Sequence, residues 1–197
     1  MGGRSRAPTV LVLPQHDAMP LAQIVTDWTR ESERLRAARC GVIEVAGERF
    51  VQVRLRRFAR RPSQAEAILW GRFVHRWRAG DRCWLYFRQP RRHPNFLVLD
   101  YVISTRGTGL GTFRGALRLL DDLARLKHAD ALLCDVATSR ISDRLLARWG
   151  WAPHAPGRWH RQFIKRFYGH YPQPDDSLAA LLASPRRPPV KQLALCG

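Results

Sequence analysis

Residues 104–113 read STRGTGLGTF, with glycines at 107, 109 and 111. The apolar run FLVLDYVI at 96–103 precedes them, and a stretch of helical periodicity follows. A strand, then small residues, then a helix is the plan of a phosphate site. The first amides of a helix have no intrahelical acceptor, and the helix dipole adds partial positive charge there. Glycine lets the backbone curl toward an anion with no side chain in between. The alternative is a plain loop and helix start. Spacing sorts the phosphate-binding turns. A P-loop ends in Gly-Lys-Ser/Thr, and no lysine lies near. A dinucleotide turn needs G-x-G-x-x-G, but the third glycine is replaced by Arg114 counting from Gly109 and by Thr112 counting from Gly107.

What remains is R-x-x-G-x-G, on Arg106, Gly109 and Gly111. This stretch resembles the acyl-CoA-binding motif of the GNAT superfamily of N-acetyltransferases. The resemblance continues downstream through an apolar strand, a short helix, the pair Gly150-Trp151 and a last strand, so that it covers about 96–168. It implies a mixed α/β (α+β) fold with a mostly antiparallel central sheet flanked by helices. It implies acetyl-CoA as cosubstrate and an amine as acceptor. It places the cosubstrate on Tyr101, Val102 and Ile103 and on the turn Arg106, Gly107, Thr108, Gly109, Leu110, Gly111 and Thr112. Ser139 falls where the family commonly has an Asn against the pantetheine arm. Leu146 falls where it commonly has the Tyr that protonates the leaving thiolate, and Ile103 where it often has Pro.

The chemistry so implied is direct attack of an amine on a thioester. It needs alignment, a base for the ammonium, polarisation of the carbonyl and an exit for the thiolate. Backbone amides near Val102 would polarise the carbonyl, where the family's strand splays from its neighbour. Asp100 is the first base candidate, and a regular strand would put it on the same face as Val102. Glu44 is the second. The alternative for Asp100 is a strand-face acid paired with one of the many arginines. Ser142 and Tyr168 are the stand-ins for the acid, although a thiol of pKa about 8.5 also leaves without one.

The elements that must position these residues follow from periodicity. Residues 20–38 predict a helix with Leu21, Ile24, Val25, Trp28 and Leu35 on one stripe. Residues 41–58 predict a hairpin turning at Ala46-Gly47, and 63–79 a helix opened by a capping box at Ser63 and Glu66. Strands are expected at 82–89 and 96–103. The repeat of Leu110, Phe113, Leu117, Leu120 and Ala124 predicts an amphipathic helix over 110–128. A strand at 131–137, a short helix capped by Ser139 or Ser142, and a strand at 158–168 complete the order. Residues 1–8 read as a basic flexible leader, 9–170 as one domain, and 171–197 as a Pro-rich tail with one short helix at 175–183.

The chain has 197 residues and a net charge of +18, carried almost wholly by arginine, since only Lys127, Lys165 and Lys191 are lysines. Such a charge favours acidic partners. Residues 54–92 alone hold twelve arginines against Glu66 and Asp81. They suit an acidic acceptor or nucleic acid, as part of the runner-up reading: a basic nucleic-acid- or ribosome-associated protein with this fold and no turnover. The cysteines 40, 83, 134 and 196 have no zinc-ligand spacing, so no metal is expected; free thiols fit a reducing cytoplasm. No apolar run approaches a membrane span.

Overall fold

The computed structural model describes residues 23–56, 80–136, 142–154 and 161–183. The leader, the helix expected at 63–79, Ser139 and Cys196 lie outside the described residues. Eight described strands form one sheet: β1 (Gln23–Val25), β2 (Cys40–Ala46), β3 (Arg49–Leu55), β4 (Arg82–Arg88), β5 (Phe96–Ser104), β6 (Ala131–Val136), β7 (Ala152–Pro153) and β8 (Arg161–Arg166). Their order is β1-β3-β2-β4-β5-β6-β8-β7. Every neighbouring pair is antiparallel except β5 and β6. The described helices are α1 (Ser32–Ala37), α2 (Leu110–Leu126), α3 (Asp143–Arg148) and α4 (Asp176–Leu182). The fold is mixed α/β with a mostly antiparallel sheet, as expected.

Parallel neighbours need a long crossover, and α2 supplies it between β5 and β6. Its stripe of Ala116, Leu117, Leu119, Leu120, Leu123 and Ala124 is buried against one face of the sheet. The stripe starts a turn later than the periodicity suggested, because Leu110 opens the helix and is 64% exposed. The same core takes Leu35 of α1, and Leu178 and Leu181 of α4. So α4, in the stretch read as a tail, docks into the core. It comes so close to α2 that a Cβ on Gly115 would stand 2.9 Å from Leu181 Cδ1.

The first helix is shorter than predicted. Residues 23–25 instead pair with β3, where Ile24 and Val25 suit an extended backbone, and only Ser32–Ala37 is helical. Trp28 stays buried, and its indole N–H donates to Asp122 Oδ2 of α2 at 2.8 Å. The hairpin turn falls one residue later than expected. Gly47 and Glu48 both sit in the left-handed region, at φ 55° and 58°. Two such residues make the loop whose twist matches that of the strands.

Candidate functional site

The parallel pairing of β5 and β6 runs from Phe96–Ala131 to Leu99–Cys134 and stops there. Both strands continue: β5 stays paired with β4 as far as Ser104, and β6 with β8 as far as Val136. The sheet therefore opens between Asp100–Ser104 on one side and Asp135–Val136 on the other. The β6-facing edge of β5 has no strand partner along this opening among the described residues. Val102 is 37% exposed there. The backbone leaves the opening through Thr105–Gly109 and enters α2, so the glycine turn stands directly beyond it.

That turn already holds anions. Gly109 is the N-cap of α2, and its amide donates to Asp81 Oδ1 at 3.0 Å. The buried Thr112 hydroxyl donates to Asp81 Oδ2 at 2.6 Å and accepts the Glu48 amide at 2.9 Å. Gly47 N–H donates to the Asp81 carbonyl at 3.0 Å. The Glu48 carboxylate lies against Gly111, so a Cβ there would fall 2.0 Å from its Oε1. Glycine at 111 thus makes room for a side chain of the same chain. Gly107 is tight against the Gly80 carbonyl, 3.0 Å from where its Cβ would be. Thr108 is tied down by its hydroxyl, which donates to Arg82 O at 2.7 Å. Arg106 and Leu110 face outward.

The strand residues Tyr101, Val102 and Ile103 all lie along the opening, but not in a regular strand. Tyr86 pairs with Tyr101 and Phe87 with Leu99, so Asp100 is the extra residue of a bulge. Val102 pairs with Leu85 on the α2 face, whereas Asp100 turns to the opposite face and meets Arg88. The expectation that Asp100 and Val102 share a face is therefore corrected by the bulge. Arg88 clasps Asp100 through Nε at 3.2 Å to Oδ2 and Nη2 at 3.1 Å to Oδ1. Tyr101 and Tyr86 meet edge to face at 6.1 Å.

Glu44 lies on β2, on that same opposite face and 3% exposed. It accepts from Gln52 Nε2 at 2.7 Å and Arg82 Nη1 at 3.2 Å, with Arg54 Nη2 at 3.6 Å. Ser142 is the N-cap of α3, its Oγ accepting the Leu145 amide at 3.3 Å. Tyr168 follows β8 at the paired end of β6, where its amide meets the Asp130 carbonyl, so it stands at the far end of the strand from the opening. Leu146 is buried in the core. The opening and the turn thus come together with Asp100, while Glu44 and Tyr168 stand elsewhere. Among the described residues no three His, Cys, Asp or Glu side chains gather as a metal site. No described helix is long and apolar enough to cross a membrane.

Sequence reading missed Asp81, Glu48 and Asp135. The first two had a signal. Antiparallel strands bring the start of β4 beside the end of β5, so Gly80-Asp81 had to neighbour the glycine turn. Asp135 is exposed on the β6 side of the opening; only the strand of Val102 was expected to splay, and local pattern did not say which strand lay beside it.

No protein-family model matches this chain, and no curated protein matches it by sequence. Among solved structures, nourseothricin acetyltransferase overlaps with it at 12% identity and a TM-score of 0.34, over 73% of this chain and 97% of that one.

Proposed function

We propose that this chain is a GNAT-type N-acyltransferase that moves an acyl group, acetyl in the first place, from acyl-CoA to an amine. The observation that carries this reading is the opening between β5 and β6 past Leu99 and Cys134, followed at once by the glycine turn into α2. An unpaired strand edge beside an opening suits an extended, amide-containing arm. Amides around Val102 are the donors for the thioester oxygen, and preorganised donors of this kind are worth several kcal/mol in a transition state, about 2.7–4 for one donor. The amides at the start of α2 suit the diphosphate once Asp81 and Glu48 give way. The buried Leu146 brings no proton to the thiolate, which then leaves by its own acidity or with a proton from water.

Acetyl-CoA should therefore raise the melting temperature, because a ligand that binds only the folded chain stabilises it by about 2.7 kcal/mol at a hundredfold excess over Kd. Absence of any shift at millimolar acetyl-CoA overturns the reading. A second reading is favoured by the two carboxylates already seated at the turn: the fold is kept without turnover, and the arginine excess serves nucleic acid. In that case RNA, and not acetyl-CoA, gives a shift, and it collapses with added salt.

A further inference from the structure

The mouth of the opening carries two carboxylates in different states. Val98 of β5 faces Leu133 of β6, and Asp100 and Asp135 each lie two residues further on. The Arg88 contact puts Asp100, and alternation from Leu133 puts Asp135, on the face away from α2, one on each lip. Asp100 is matched by the bidentate Arg88. The Asp135 side chain makes no hydrogen bond or ion pair among the described residues, and it is exposed. Its neighbour on β8 is the uncharged Gln162. Another acid on this face, Glu44, is buried between Arg54 and Arg82. On a chain of net charge +18, an acceptor ammonium is repelled nearly everywhere. Here it meets a carboxylate with no cation against it among the described residues.

Resting on the acyltransferase reading, we infer that the acceptor is a cationic primary amine held between the two lips of the opening, and that Asp135 is its general base. Asp100 keeps a fixed orientation against Arg88. Asp135 takes one ammonium proton, directly or through one water, which frees the nitrogen lone pair. That pair forms the C–N bond at the thioester carbon. The C–S electron pair leaves with sulfur as the intermediate collapses. Of the two protons the nitrogen loses, one passes through Asp135 to solvent and the other ends on the CoA thiol.

The test uses the full chain with acetyl-CoA and three probe amines: ethanolamine, lysine methyl ester and the less basic glycinamide. Released thiol gives the rates, and calorimetry gives the acetyl-CoA Kd. Asp135→Asn should keep the parent's Kd and circular dichroism while kcat/KM for ethanolamine falls at least about a hundredfold near neutral pH. The deficit should shrink as pH rises and the amine loses its proton unaided, and it should be smallest for glycinamide. Asp135→Glu should recover part of the rate, and Glu33→Gln, remote on α1, should match the parent. An Asn variant with the parent's rate and pH profile overturns the proposal, and so does an equal loss for all three amines at every pH. A parent that binds acetyl-CoA yet acylates none of the amines overturns the amine site alone. A parent that fails to bind acetyl-CoA overturns the acyltransferase reading and this inference together.

Discussion

Lys127 is a buried cation with no carboxylate beside it. Its ammonium donates to the carbonyls of Arg36, at 2.8 Å, and Ala38, and to Gln89 Oε1 at 3.2 Å. It ties the end of α2 to the end of α1 and to the β4–β5 loop. Burial, with the charge of Arg39, lowers its pKa from 10.5 to about 8. The folded chain then gives up this proton near pH 8, whereas the unfolded chain keeps it to about 10.5. Between those values unfolding takes up a proton, so stability rises with pH. Below them both states are protonated and the slope vanishes. Measured by urea denaturation, the parent should gain on Lys127→Met as pH climbs from 8 to 10, and run parallel to it from pH 6 to 7.5. The thiols follow the free, buried pattern that the sequence implied. Cys83 and Cys134 are pushed up to about 12 by burial, and Cys40 is raised for the same reason.

At the scale of elements, the start of α2 is held by residues remote in sequence. Asp81 does for Gly109 and Thr112 what an N-cap side chain usually does from within its own helix. Asp81→Ala should cost about 1–2 kcal/mol, the range for a lost cap, read as a shift of the denaturation midpoint at unchanged slope. A change under a few tenths would mean that water replaces the carboxylate at no loss. This element also shows what was legible beforehand. The glycines at 107, 109 and 111 announced a strand-to-helix turn, and a turn is there. That an acid occupies it depended on strand order, which no local pattern carries. The helix expected at 20–38 failed for a similar reason. Ile24 and Val25 fit a helical stripe and a strand equally well, and pairing with β3 decided between them.

For the whole molecule, the core ends later in the chain than composition suggested. Leu178 and Leu181 are each 4% exposed, in a stretch whose prolines read as linker. Arg118 of α2 reaches Asp175 at 2.8 Å to pin the start of α4. Leu178→Ala together with Leu181→Ala should lower stability by at least about 4 kcal/mol, from the usual 2–5 for each buried leucine. A true tail would respond by no more than about 0.5 kcal/mol. The second half of the sheet was readable because β5, α2, β6 and β8 each have a clean period. The first half was not: its strand order, β1-β3-β2-β4, rests on pairings between distant segments. The site was legible to the same degree. Asp100 lies on β5 at the opening, but the bulge that turns it toward Arg88 adds one residue to an apolar run in which nothing marks it.

The acid at the start of α2 also bears on concentration. Asp81 is tethered, so its carboxylate meets the Gly109 amide at an effective concentration far above that of a free ligand, on the order of millimolar or more. A diphosphate that takes this amide competes with a resident of its own charge sign. Under the proposed function, its apparent Kd equals the intrinsic value divided by the fraction of molecules in which Asp81 has withdrawn. If the turn takes a diphosphate, weak capture is what such a tenant imposes on it.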